Sequence, residues 1–168
     1  ALDRIAAAER VITFKSAKYS IQHPLLLGAR VGGVSAAADA ALTAYGLELG
    51  IAFQLRDDLL GVFGDPQVTG KPAVDDLREG KATLPLISAM QRGNAAQREV
   101  IRDAIQSGSV SELDRIVAIV NDTGALDVTR QAAAAEAQRA IDAARQLPAN
   151  PYTSGLLQLA AQLLERRS

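Results

Sequence analysis

The feature that most constrains this 168-residue chain is a stretch from Ala36 to about Val62 that is typical of one long helix. Apolar side chains recur along it at steps of three and four residues, as at Ile51, Leu55 and Leu59. Side chains at that spacing share one face of an α-helix. Residues that break helices follow directly, so we expect the helix to end at Gly61, Gly64 and the Asp65-Pro66 step.

The composition also favours an all-α fold. Aromatic residues make up only 4% of the chain, whereas alanine and leucine abound, which suits closely packed helices better than a sheet. Hydrophobic residues account for 48% and charged residues for 22%, values within the globular range, so we expect one soluble domain. The net charge of −1, with no local cluster of lysine or arginine, argues against a nucleic-acid partner.

Several classes of protein are excluded by what the sequence lacks. There is no cysteine and only one histidine, His23, which excludes disulfides, a cysteine nucleophile and an ordinary zinc site. The absence of cysteine is compatible with a reducing compartment, and we expect a cytoplasmic location. The longest uncharged run, residues 146–164, contains two prolines and several amides, so we expect no transmembrane helix. The amino terminus has neither a signal peptide nor an initiator methionine, which suggests a piece of a longer chain.

Shorter helices are expected on both sides of the long one. Before it, helical spacing covers Ala1 to about Lys18, Pro24 interrupts the chain, and a short helix covers Leu25 to Val31. After it, residues 65–83 form a loop that is longer than ordinary connections. Beyond the loop, helices are expected from near Leu84, near Asn94, just after Glu112, over Leu126 to Gln146, and from Asn150-Pro151 onward.

Helix ends and buried faces are predicted at named positions. The expected caps are Ser35, Asn94 with Gln97, Ser109 with Glu112, and Gly124 just past a helix end. The helix after Glu112 is expected to bury Leu113, Ile116, Val117 and Val120, and the last helix Leu156, Leu159 and Leu163.

The candidate chemistry lies near the end of the long helix. Gln54, Asp57, Asp58 and Gly61 are spaced by three, four or seven residues, so we expect them on one side of it. Two neighbouring carboxylates repel each other unless a cation lies between them, and a hard divalent ion with oxygen ligands relieves that repulsion. Magnesium is the natural candidate, and because phosphate oxygens usually complete its coordination, the pair predicts a phosphorylated ligand.

The loop that follows contains residues suited to such a ligand. Lys71 follows Gly70 and Lys81 follows Gly80, where a glycine lets the backbone approach closely. The alternative is that the aspartate pair is ordinary solvated surface and the lysines are ordinary loop residues. The apolar neighbours of the pair favour the first interpretation, because a helix buried on several sides needs partners for its carboxylates. The sequence therefore predicts a magnesium-diphosphate cradle.

The residues just described resemble a known motif. They resemble the second aspartate-rich region of the trans-prenyl diphosphate synthases, especially of the actinobacterial geranylgeranyl type. The matching residues are Phe53-Gln54, Asp57-Asp58, Gly64-Asp65, Gly70-Lys71, Asp76-Leu77 and Gly80-Lys81-x-Thr83-Leu84-Pro85. Two further motifs of that family resemble Lys15-Ser16-Ala17-Lys18-Tyr19 and the segment from Pro24 to Gly28.

The resemblance implies an isoprenoid-synthase-like helical bundle, of which this chain is the carboxy-terminal half without the amino-terminal helices. Residues 1–168 would belong to a single prenyl synthase domain, with the second motif in residues 50–85 and carboxy-terminal helices in residues 86–168. The implied reaction condenses isopentenyl diphosphate with an allylic diphosphate to a longer all-trans prenyl diphosphate, geranylgeranyl or similar. The implied enzyme is a magnesium-dependent homodimer.

The resemblance also implies roles for single residues. Asp57 would bind magnesium directly and Asp58 mainly through metal-bound water. The allylic diphosphate would be held by Lys15, Lys71 and Lys81. Gln54 would face the developing carbocation, and Ser16 and Phe53 would line the substrate site.

Two departures from the family pattern bear on activity. Gly61 stands where many members have a third aspartate. The family's first aspartate-rich motif, which would lie upstream of Lys15, has no counterpart in these residues. Two other classes of function remain open: a non-catalytic regulatory subunit that binds a prenyl synthase through helix faces, and a terpene cyclase of the same fold.

We predict that a purified polypeptide of residues 1–168 shows no turnover with isopentenyl and allylic diphosphates, whereas a protein extended upstream does. The reason is that half of the implied metal cage is missing. Radiolabelled isopentenyl diphosphate and chromatography of the products measure the difference. Comparable activity in the two proteins would contradict the prediction.

Overall fold

A computed structural model describes residues 7–8, 10–63, 81, 83–109 and 111–165 of the chain. Every regular element in these ranges is a helix, as the sequence predicts. A π-helix is followed by helices α1 (His23–Val31), α2 (Ala36–Phe63), α3 (Leu84–Arg92), α4 (Ala95–Ser107), α5 (Leu113–Asp122), α6 (Ala125–Ala144) and α7 (Pro151–Glu165); the π-helix covers Ile12–Gln22. None of the helices so described is both long enough and apolar enough to cross a membrane.

The chain divides into two compact units. Residues 55–131 form most of the first unit, and residues 9–54 with 132–167 form the second. Helix α2 supplies residues to both units, and so does α6.

The core of the first unit lies among α3, α4, α5 and the start of α6. Fully burying a large aliphatic side chain contributes about 1.5–3 kcal/mol. The predicted burial of Ile116 and Val120 is confirmed, but Ile119 is buried where Val117 was expected, and Val117 is only half-buried. The side chains of this core are Leu86, Ala89, Ile101, Ala104, Ile116, Ile119, Val120 and Ala125.

The core of the second unit is rich in alanine and contains one buried tyrosine. Small side chains let α2, α6 and α7 lie close together around Tyr45 and Leu49, and these small residues are Ala140, Ala143, Ala144 and Ala160. The Tyr45 hydroxyl donates a hydrogen bond of 2.8 Å to the carbonyl of Leu156. Burial raises the pKa of this phenol to about 12. The predicted burial of Leu159 is wrong: its side chain is 50% exposed, because Ala160 turns inward instead.

The π-helix lies against a glycine face of α2 within the second unit. A methyl group at Gly46 would come within 2.8 Å of the Gln22 Cα, and one at Gly50 within 2.4 Å of the Ala17 Cα. The Gln22 amide also donates a hydrogen bond of 2.8 Å to the carbonyl of Thr43. The chain is expected to be interrupted at Pro24, and the structure shows that the π-helix ends and the α-helix α1 begins just before this residue. Proline is tolerated there because it lies in the first turn of α1.

Most predicted helix caps are confirmed. The hydroxyl of Ser35 accepts from the Ala38 amide at 3.2 Å, and Asn94 and Gln97 form a reciprocal capping box. Gly124 has a φ of +67°, the left-handed conformation that favours glycine past a helix end. The predicted cap at Ser109 is wrong, because its hydroxyl accepts locally from the Ser111 amide and leaves α5 without a side-chain cap.

We predict that Gly50→Ala lowers the free energy of unfolding by about 2 kcal/mol, because the added methyl group meets backbone atoms that cannot rotate away. Gly28→Ala is the matched control. Gly28 also lies within a helix, but nothing stands within 4 Å of an added methyl group there, so alanine should stabilise that helix by about 0.5–1 kcal/mol. Urea unfolding measures both, and equal effects would contradict the close approach.

Candidate functional site

The two neighbouring aspartates of α2 have different surroundings. Asp57 is exposed, whereas Asp58 is only 7% exposed. Successive residues of an α-helix point about 100° apart, so adjacent carboxylates need not share an environment. The sequence predicts both on one side of the helix; the structure places Asp57 at the surface and turns Asp58 inward.

The buried carboxylate binds the start of α3. Oδ2 of Asp58 accepts a hydrogen bond of 3.2 Å from the Leu84 amide, and the two residues lie 26 positions apart in the chain. A carboxylate at a helix amino terminus satisfies a backbone donor that the helix itself leaves unpaired and interacts favourably with the helix dipole. This contact could not be read from local spacing.

A second contact joins the π-helix to α2. The hydroxyl of Ser16 donates a hydrogen bond of 2.5 Å to Oε1 of Gln54. Since Oε1 accepts from Ser16, the amide group of Gln54 has a fixed orientation, with Nε2 directed away from the serine. Ser16 and Gln54, two of the residues predicted to belong to the site, are therefore in contact, and Ser16 orients the side chain of Gln54.

The other predicted site residues lie at the surface or outside the described ranges. Lys15, on the π-helix, and Lys81, just before α3, are exposed, and Phe53 is 51% exposed on α2. Lys71, with the loop residues from 64 to 80, lies outside the described residues.

The donor set suits a magnesium ion that also binds phosphate. Within the described ranges, no three or more histidine, aspartate or glutamate side chains form a group able to hold a metal alone. A site with one or two carboxylates, completed by phosphate oxygens and water, is the usual arrangement for magnesium. The exposed carboxylate of Asp57 fits that arrangement.

Sequence reasoning missed a charged cluster in the second unit. Arg139 on α6 donates a hydrogen bond of 3.1 Å to Glu48 on α2, and it also pairs with Glu136 one turn earlier on α6. The pKa of Glu136 is raised to about 7, mainly by burial and then by the neighbouring Glu48, while Arg139 opposes both effects. The spacing of Glu136 and Arg139 signals a surface ion pair, but Glu48 is 91 residues away from Arg139 and gives no local signal.

Comparisons with known proteins identify the family. Residues 2–121 match the polyprenyl synthetase family model, so the chain belongs to that family. It is 44% identical over 137 residues to the octaprenyl diphosphate synthase of Haemophilus influenzae, covering 81% of this chain and 42% of that protein. It is 39% identical over 135 residues to the geranylgeranyl diphosphate synthase of Mycobacterium tuberculosis, covering 79% of this chain and 39% of that protein.

Solved structures agree with the predicted fold. The Corynebacterium glutamicum geranylgeranyl pyrophosphate synthase, complexed with isoprenyl diphosphate and magnesium, matches with a TM-score of 0.87 and 40% identity, covering 95% of this chain and 46% of that one. A Caulobacter crescentus polyprenyl synthase, complexed with calcium and isoprenyl diphosphate, matches with a TM-score of 0.87 and 38% identity, covering 97% and 50%. The chain thus spans half or less of the length of these relatives, and the isoprenoid-synthase-like fold is confirmed.

We predict that Glu136→Gln flattens the pH dependence of stability between about pH 4.5 and pH 7. In the folded state the pKa of this carboxyl is raised from 4.5 to about 7, so the folded protein holds the proton over that range and the unfolded chain releases it. Stability therefore falls as pH rises through this window and levels off above it. Glutamine cannot titrate, so the decline should lessen.

Urea midpoints at half-unit pH steps measure the effect. Asp142→Asn, an exposed carboxylate on the same helix, is the control and should leave the wild-type profile unchanged. A Glu136→Gln profile parallel to that of the wild type would contradict the raised pKa.

Proposed function

We propose that the protein carrying this chain is a prenyltransferase that condenses isopentenyl diphosphate with an allylic diphosphate to give a longer all-trans prenyl diphosphate, geranylgeranyl or similar. One observation carries the proposal: the acidic pair Asp57-Asp58 lies on α2 of a chain that belongs to the polyprenyl synthetase family. The relatives named as octaprenyl and geranylgeranyl diphosphate synthases support the same reaction class.

The proposal places magnesium and the allylic diphosphate beside the exposed Asp57, in the carboxy-terminal part of α2. Asp57 would bind the ion directly, and Asp58 would contact it only through water. The related corynebacterial structure, which contains magnesium and isoprenyl diphosphate, supports this choice of ion and ligand. Bound there, magnesium would neutralise charge on the departing diphosphate. Lys15, Lys71 and Lys81 would add positive charge around the same phosphates.

The remaining residues would act on the hydrocarbon part of the substrate. The carbon–oxygen bond of the allylic diphosphate breaks, and its electron pair leaves with the diphosphate. The double bond of isopentenyl diphosphate then attacks the allylic cation, and a proton is lost from the adduct. Gln54 would face that cation with its amide oxygen, the negative end of the amide dipole, which also accepts the hydrogen bond from Ser16, and Phe53 would help to keep water away. No nucleophilic side chain is needed.

The proposal extends to the whole protein. Residues 1–168 would form the carboxy-terminal part of a single prenyl synthase domain, with the acidic motif in residues 50–85 and carboxy-terminal helices in residues 86–168. Homodimeric assembly and a cytoplasmic location, both implied by the family resemblance, belong to the same proposal.

We predict that Asp57→Asn in the complete enzyme lowers kcat/KM by about 100-fold and raises the magnesium concentration for half-maximal activity, because a direct charged ligand is lost. Asp103→Asn is the control, since this exposed aspartate lies on α4, outside the proposed site. Initial rates at fixed isopentenyl and allylic diphosphate over a magnesium titration measure both variants.

Three outcomes would contradict the proposal. Wild-type turnover and magnesium dependence in Asp57→Asn would remove the metal site. Cyclic hydrocarbon products would indicate a terpene cyclase, and a complete protein with no turnover would indicate a non-catalytic subunit.

A further inference from the structure

The start of α3 has few ways to satisfy its backbone donors. Pro85 lies in the first turn and has no amide hydrogen, which removes one unpaired donor. Thr83 precedes the helix with extended backbone angles, yet its side chain makes no capping hydrogen bond. The Thr83 hydroxyl is buried without a hydrogen-bond partner in the part of the chain that the structure describes. The Leu84 amide must therefore find its acceptor elsewhere.

Asp58 supplies that acceptor from another helix. Its Oδ2 accepts from the Leu84 amide at 3.2 Å, and its side chain is 93% hidden from solvent, since its exposed fraction is 7%. A buried carboxylate is costly unless it is hydrogen-bonded. The contact thus gives the buried carboxylate a hydrogen-bond donor and gives the Leu84 amide an acceptor. It joins two residues of the first unit that lie 26 positions apart in the chain.

The capped position lies next to a proposed diphosphate ligand. Lys81 precedes Leu84 by three residues, so the contact that fixes the start of α3 also limits where the Lys81 backbone can lie. Loss of the contact would let the segment before α3 shift, and misplacing a binding group by about 1 Å can cost about 100-fold in rate.

We infer that Asp58 is a positioning residue, which fixes the start of α3 and thereby Lys81, and that Asp57 alone of the pair is the direct ligand of the metal. The inference rests on the proposed prenyl transfer. The two acids then differ in their main role: the exposed Asp57 binds the ion directly, whereas the buried Asp58, beyond its contact with the ion through water, holds the backbone at the start of α3.

Asparagine separates these two roles. The side-chain oxygen of asparagine can still accept from the Leu84 amide, and asparagine caps helices as well as aspartate does. Its neutral amide is a poor replacement for a carboxylate ligand of magnesium. Asp58→Asn should therefore keep the cap, whereas Asp58→Ala should lose it.

The test compares Asp58→Asn, Asp58→Ala and Asp57→Asn in the complete enzyme. We expect Asp58→Asn to keep Tm and hydrogen exchange at the Leu84 amide near their wild-type values, and to shift the magnesium midpoint by less than Asp57→Asn does. Asp58→Ala should raise the KM for allylic diphosphate about tenfold and lower Tm by about 3 °C, with faster hydrogen exchange at the Leu84 amide. Asp57→Asn should shift the magnesium midpoint without changing exchange at Leu84.

Each result decides the inference. A magnesium midpoint in Asp58→Asn that shifts as far as in Asp57→Asn would overturn it and make Asp58 a metal ligand. Wild-type KM and exchange in Asp58→Ala would overturn it as well. If the wild type shows no prenyl transfer, the proposed function fails, while Tm and exchange at Leu84 still decide whether Asp58 holds α3.

Discussion

The structure of the second unit depends on the close approach of the π-helix to α2. Gly46 and Gly50 leave no side chain between the two backbones, so Gln22 and Ala17 reach the surface of α2 directly. Gln54 is the next residue at the same four-residue step, and there the π-helix supplies the Ser16 hydroxyl instead of a backbone contact. Between Gly46 and Gln54 the same helix face therefore changes from close backbone packing to a hydrogen bond between side chains.

Much of the fold was predictable because it rests on local physics. The bounds of α2, the Asn94–Gln97 capping box and the left-handed Gly124 follow from residues at most a few positions apart. Predictions failed where two local preferences compete. Ser109 bonds within its own turn instead of capping α5, and an alanine takes the inward position that Leu159 was expected to fill.

The positions of the candidate site residues along α2 were predictable, but the surroundings of each side chain were not. Spacing along the chain placed Gln54, Asp57 and Asp58 on one helix, and the helix is there. It did not reveal that Asp58 is buried against α3, because the Leu84 amide lies 26 residues away and carries no side-chain signal. The same limit hid Glu48, whose partner Arg139 belongs to a helix 91 residues later. Contacts between distant residues decide which of several similar side chains meets solvent.

Two pairs of carboxylates in this chain show how the same repulsion is relieved in different ways. Glu48 and Glu136 come together from separate helices around Arg139, so the protein supplies the cation itself, and the raised pKa of Glu136 shows that this compensation is incomplete. Asp57 and Asp58 diverge by the rotation of one helical step, and Asp58 turns to a backbone amide. Divergence weakens their mutual repulsion and leaves Asp57 at the surface, where the proposed magnesium ion would reach it. Arg139 already lies between the two half-buried glutamates and neutralises part of their charge, which is why Asp57, and not this pair, suits the proposed metal ion.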